Sequence, residues 1–407
     1  MKNKAWLFEA MMAIVAMVLA TGCSAGSGVS KTASSTPSLA HVPRTVTGLA
    51  SEAPTPESGT VFAWGDNDYG QLGDGTTDAQ RRPTLVPGLT GITQITTNQE
   101  DVVYALDTRG QVYIWGDDAY RPLDVGNDSE QTTPILVPGL TGITQIAAGE
   151  ESGYALGAGG QVYAWGENYY GQLGDGTTDD RDTPILVPGL TGITQIAAGD
   201  ESAYALGAGG QVYAWGDNER GQLGDRTTRE RHRPIPVPGL TGITQIAARE
   251  ESAFAVGADG QVRAWGSNDQ GQQGDGGVTE RHTPRLVRGL AGITQVAAGS
   301  DITYAIGAGG QVYTWGFPHI WLDDQIDADL DTPQPIRGLT GVAQIVVGDD
   351  SIYAIGAGGQ VYAWGDNFDG QLGDGTTVDR DSPTPVPGLT GITQIAAGDD
   401  SAYAVVG

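Results

Sequence analysis

Short stretches of the chain alternate apolar and polar residues with a period of two, the spacing of a half-buried β-strand. They come in sets. In one set, ITQIAAG (193–199) is apolar and ends in small residues, SAYALG (202–207) alternates, and QVYAWG (211–216) alternates again. A Gly-rich link joins the last two, which is a hairpin signal. A shorter segment of the type PILV (134–137) precedes Pro-Gly-Leu. Its Pro suits a first or edge strand, where a missing N–H breaks no ladder. Each set therefore predicts four strands.

The set recurs. A Trp-Gly pair stands at Trp64, Trp115, Trp165, Trp215, Trp265, Trp315 and Trp364, with spacings of 51, 50, 50, 50, 50 and 49 residues. A period of this size means a solenoid, a propeller or an array. The ends of the chain decide. TVFAWG (60–65) lacks its SAYALG partner, and SAYAVVG (401–407) lacks its GQVYAWG partner. One split unit supplies both, and pairing them closes a ring without exposed sheet edges. An open solenoid would need polar caps, and none is present. The expected fold is all-β: a seven-bladed β-propeller of four-stranded blades, closed by its terminal strands. Ala-Ala-Gly suits the crowded inner strand. Tyr, Val and Trp fill the wider space between blades, and each Trp or Tyr brings one polar atom that needs a partner.

The first 58 residues differ. Lys2 and Lys4 precede an apolar run from Ala10 to Ala20, too short to span a bilayer. With small residues before Cys23, the only Cys, residues 1–22 read as a signal peptide. The site resembles a bacterial lipoprotein lipobox, although Ala20 stands where a Leu is preferred, and lipidation at Cys23 is expected. An ordinary cleaved signal with an incidental Cys is the alternative. Residues 23–58, rich in Ser, Thr, Ala and Pro, read as a flexible tether, and 59–407 as the propeller. The expected location is outside the cytoplasm, at the cell membrane or outer envelope surface.

Composition narrows the picture further. Gly accounts for 64 of 407 residues, which disfavours long helices. Acidic residues outnumber basic ones 49 to 21, for a net charge of −28. A nucleic-acid binder needs the opposite balance. Without a Cys in the folded part, stability must come from the core and from closure.

The string W-G-x-N-x-x-G-Q-L-G-x-G is clearest at 64–77, 165–178, 215–225 and 364–377. Followed by P-x-x-V and an A-A-G strand, it resembles the regulator-of-chromosome-condensation repeat family over residues 60–407. The resemblance implies a seven-bladed propeller with a split blade. It also implies a range of roles: exchange factor for a Ras-like GTPase and chromatin binder, ultraviolet sensor through clustered Trp, or secreted inhibitor of β-lactamases. Here only Trp321 lies outside the repeats and the signal, so no Trp cluster for light sensing is expected.

Candidate chemistry is sparse. His41, His232, His282 and His319 have no partners at triad or metal spacing, and no nucleophile elbow, P-loop or H-E-x-x-H string occurs. Ser152, Ser202, Ser252, Ser351 and Ser401 recur at one position, which favours structure over catalysis. No enzyme activity, metal or cofactor is expected. The acidic loops at 66–70 and 174–180 fit turns first and weak calcium binding second.

Two loops lose the G-Q-L-G string, after Trp115 and after Trp315. The second places Phe317, His319, Ile320, Trp321 and Leu322 where other copies are polar. They read either as a plug for the gap or as partner-binding anchors. Ten Arg fall in residues 220–288 against eight acidic residues, a local balance of +2. Among them Arg226, Arg229, Arg231, Arg233, Arg281, Arg285 and Arg288 read either as neutralising the protein's own acids or as a basic docking patch. The expected function is a non-catalytic, membrane-tethered protein-interaction scaffold with an unidentified protein partner. A monomer without nucleic acid is expected. The alternatives are a nucleotide-exchange regulator of a small GTPase, by family analogy, and a cell-wall or polysaccharide binder.

Overall fold

The structure is a computed structural model that describes residues 56–98, 101–117, 131–317 and 330–407. Twenty-eight strands form seven four-stranded sheets, and no helix occurs among the described residues. A representative blade runs from axis to rim as Ile193–Ala198, Ser202–Gly207, Val212–Gly216 and Arg231–Pro236, each antiparallel to the next. Burial follows the sequence pattern. The second strand is buried throughout, whereas the Pro-bearing outer strand alternates between half-buried and exposed positions.

The seventh sheet is assembled from both ends of the propeller. Val61–Gly65 pairs with Ser401–Val406, placing Val61 opposite Val405 and Gly65 opposite Ser401. Ile392–Ala397 and Gln80–Leu85 flank this pair as the inner and outer strands. The expected closure is therefore present, and the seven inner strands touch one another around a complete circle.

Two hydrogen-bond systems fasten neighbouring blades. The first uses the Gln of the inner strand. Gln145 donates from Nε2 to Ile196 O at 2.7 Å, while its Oε1 accepts from Ile196 N at 2.9 Å. Gln94, Gln195, Gln245, Gln344 and Gln394 clamp the next inner strand in the same two-point way. A peptide group near the axis, beyond the reach of sheet pairing, is thus satisfied from the adjoining blade.

The second system explains the G-Q-L-G string. The carbonyl of Gln172 accepts from Tyr154 Oη of its own blade at 2.8 Å and from Trp215 Nε1 of the next at 2.8 Å. Gln71, Gln222 and Gln371 do the same. Where Phe254 lacks the hydroxyl, Thr303 from the next blade supplies the second bond to Gln272 O, at 2.9 Å. The second Gly of the string must be Gly: a Cβ at Gly174 would stand 2.8 Å from the Trp215 ring.

The largest departure from the small-residue rule for the inner strand is an arginine. Arg249 stands at the position that is Gly in five other blades, and it is fully buried.

Candidate functional site

The meander sends all inner strands toward one face. The hairpins that follow them, and the long loops after each Trp, therefore share that face. The Gly-Ala-Gly-Gly and Pro-Gly-Leu-Thr-Gly turns share the other. The two faces differ in chemistry. Around the axis, the inner hairpins carry Glu150-Glu151, Asp200-Glu201, Glu250-Glu251, Asp349-Asp350 and Asp399-Asp400, with a single Asp301 in another; Asp101 belongs to the remaining hairpin, whose Glu100 lies outside the described residues. On the opposite face, the charged side chains of the turns are Glu57, Asp107, Arg109, Asp259, Arg288 and Arg337, three of each sign. Asp107 and Arg109 pair at 2.6 Å, where the Arg109 guanidinium and two backbone amides outweigh burial and hold Asp107 low.

Crowding on the acidic face raises carboxyl pKa values. Burial, then the nearby Glu150, Asp217 and Glu167, pushes Glu201 up to about 8 against the opposing bond from Gln172. Burial, then a hydrogen bond and charge from Glu167, pushes Glu151 up to about 8. Burial raises Glu250 to about 7 even beside Arg249. Burial also lowers the Arg249 guanidinium, which faces Glu250, Asp349, Asp200 and Asp399 from four blades. Its Nη2 donates to Ser300 Oγ at 3.0 Å. Arg249 is a tethered counter-ion within a ring of like charge.

Other acids of this face are engaged in turns. Asp175 accepts from Thr177 N at 2.8 Å and Thr177 Oγ1 at 2.6 Å, and it pairs with Arg181. Burial would raise it, but these bonds outweigh burial and keep it below the ordinary Asp value. Asn168 Nδ2 closes the same loop onto Thr177 O and Asp179 O. The described residues contain no group of three or more His, Cys, Asp or Glu side chains arranged to hold a metal ion. Ser152 and Ser202 are buried and donate to Tyr154 and Tyr204 Oη.

The candidate arginines separate. Arg231 and Arg281 pair with Asp225 and Asp275 of their own loops, as Arg380 pairs with Asp374. Arg226, Arg229 and Arg233 are exposed in the Trp215 blade, toward the acidic face. Arg226 holds a φ of 73° at a position that is Gly in other copies. Arg233 covers Gly176 of the preceding blade and, with Glu230, His232 and Ile235, lines an open groove of ≈ 370 Å³. Arg285 and Arg288 are exposed at the other end of the Trp265 blade, near the neutral face.

Phe317 is partly exposed, and its amide donates to Asp301 O at 2.8 Å. His319, Ile320, Trp321, Leu322 and Cys23 lie outside the described residues. Sequence reasoning missed both the Gln clamp and the carboxylate ring. The signal for each was repetition: a Gln inside each apolar inner strand, and acidic residues shortly after it.

Fold and geometry define the class: a closed seven-bladed propeller with one acidic and one neutral face. An RCC1-like domain model matches residues 187–407, and the regulator of chromosome condensation (RCC1) repeat matches 58–97, 109–156 and 159–206. The chain belongs to this family. It is similar to human E3 ubiquitin-protein ligase HERC2, 38% identical over 89 residues, covering 22% of this chain and 2% of that protein. It is also similar to the Arabidopsis thaliana ultraviolet-B receptor UVR8, 34% identical over 94 residues, covering 22% of this chain and 21% of the receptor. The chain thus spans a small fraction of the length of these relatives.

Among solved structures, yeast RCC1 (Prp20) bound to Kap60 superposes with a TM-score of 0.76 at 23% identity, covering 90% of this chain and 97% of that one. Human WBSCR16 gives 0.77 at 21% identity, covering 86% and 99%. At these identities the likeness shows the fold.

Proposed function

We propose that the chain is a non-catalytic protein-interaction scaffold that docks a basic partner on its acidic face. Residues 1–22 direct export, Cys23 carries a lipid, and residues 23–58 tether the ring at the cell membrane or outer envelope surface. The observation that carries the reading is the asymmetry of the disc. Carboxylates crowd around the axis on one side, while charges on the other cancel. A face on which one sign predominates steers and orients an oppositely charged partner. Prp20 was crystallised bound to another protein, Kap60, which is consistent with a ring that works by display.

Crosslinking and capture from intact cells tests the reading, using the full chain and a quadruple variant, Asp349→Asn, Asp350→Asn, Asp399→Asn and Asp400→Asn. Loss of the captured protein in the variant supports acidic-face docking. Capture unchanged by the variant but abolished by Trp321→Ala moves the site to the loop after Trp315. Turnover of a substrate by the purified chain, lost on a single substitution, refutes the non-catalytic reading. A Cys23→Ser variant that still fractionates with membranes refutes the lipid anchor. Retention in the cytoplasm would favour the exchange-regulator reading instead.

A further inference from the structure

The two fastening systems are not distributed evenly around the ring. At five of the seven seams both the Gln clamp and the Gln carbonyl acceptor for the next Trp are present. At the seam between the Trp115 and Trp165 blades, Gln94 still clamps Ile146, but Trp165 Nε1 is buried without a partner among the described residues. At the seam between the Trp315 and Trp364 blades, neither system is formed among the described residues. Gln295 Nε2 and Trp364 Nε1 are buried there without a hydrogen-bond partner among those residues. Among the described residues Tyr304 Oη has no carbonyl acceptor of the kind its counterparts use, and the side chain beside it is Thr314, a position that is Ala in most other blades.

The cause is local and readable. Both seams with an orphaned indole follow a loop whose sequence has lost G-Q-L-G, the string whose Gln carbonyl serves the next Trp at the other seams. At the second, the inner strand is also altered. Six inner strands carry a Thr whose hydroxyl donates to the second strand, as Thr194 does to Leu206 O at 3.1 Å. The seventh has Ala343 there, and its strand shortens to Gln344–Val347. The amide of Ile345 occupies the place of those that Gln clamps elsewhere, and no Gln reaches it among the described residues.

We infer that the Trp315–Trp364 seam is the built-in opening point of the ring, and that the blade made from both chain ends is not. Buried donors without acceptors favour any state in which water reaches them, so this seam gains most from parting. Local opening follows the least satisfied contacts rather than the position of the chain ends. The closing blade, by contrast, is clamped on both sides, by Gln344 to Ile395 and by Gln394 to Ile95.

Native-state hydrogen exchange of the full chain, read by mass spectrometry or NMR, tests the inference. The Ile345 amide should exchange at least tenfold faster than those of Ile196 and Ile246. The Trp115–Trp165 seam, with one system intact, should fall between. Ala343→Thr with Thr314→Ala should slow exchange at Ile345, and Gln195→Leu should create a second fast seam at Ile246. Equal protection at Ile345 and Ile196 overturns the inference, as does earliest exchange in residues 401–406. If the variants misfold, the comparison of amides within the unaltered chain still decides.

Discussion

The two faces of the disc are built from the same strands and carry opposite chemistry. One gathers pairs such as Glu150-Glu151 and Asp349-Asp350 around the axis; the other is made of Gly, Ala, Pro and Thr turns whose few charges balance. The difference shows that the repeat separates its tasks by direction. Turns on the neutral face only reverse the chain, and Gly there meets the backbone of the next turn: a Cβ at Gly160 would stand 2.8 Å from Ile193 N. Turns on the acidic face are free to carry charge, and they accumulate it sevenfold. Like charge at this density opposes folding, and it is contained by the Gln clamps, the buried Trp and the Arg249 counter-ion.

Both faces exist only if the circle closes, so the largest effect is expected from the ends. Deleting residues 401–407 removes the buried second strand of the closing blade. The chain should aggregate or unfold at a far lower temperature, as scanning calorimetry and sedimentation would register. Next comes Gln195→Leu, which unpairs the buried amide and carbonyl of Ile246 without touching either face's charge. A loss of roughly 1–3 kcal/mol per orphaned group is expected in denaturant titration, with partner capture unchanged in the folded fraction.

A pH series separates the faces more finely. Glu151 and Glu201, raised to about 8, bind protons more readily in the folded ring than in the open chain. Their contribution is therefore fully present below the ordinary Glu range and is lost as pH rises through about 8. Asp175 and Asp374, held low by Thr and Arg against burial, act in the opposite sense and lose their contribution only in strong acid. The unfolding temperature should fall from pH 5 to pH 9, and Glu201→Gln should flatten that slope. A slope unaltered by Glu201→Gln would remove the acidic crowding from the stability account. The smallest effect is expected on the neutral face, where Arg337→Gln should change stability by no more than about 0.5 kcal/mol and leave capture unaltered.

Much of this molecule was legible in its sequence. The Trp-Gly period, the four alternating segments and the split unit at 60–65 and 401–407 led directly to the closed ring, because a repeat multiplies each weak strand signal. The roles of single atoms were not legible. Gln195 reads as one polar residue in an apolar strand, and only the structure brings it within reach of Ile246 in the next blade. The arginines of residues 220–288 are dense in sequence, yet an outer strand carries its start and end to opposite faces. Arg231 therefore meets Asp225 near one face, while Arg285 and Arg288 emerge near the other. Arg249, a departure from Gly at one strand end, gave no hint in sequence that it would lie among carboxylates of four blades.

The division of labour between faces is tested most directly by binding of the full chain to a short oligolysine peptide, measured by isothermal titration calorimetry at low and physiological salt. The unaltered chain and an Arg288→Gln/Arg337→Gln variant should bind alike, and binding should weaken with added salt. The variant with Asp349, Asp350, Asp399 and Asp400 changed to Asn should bind at least tenfold more weakly. Equal affinity in all three chains would contradict an acidic docking face.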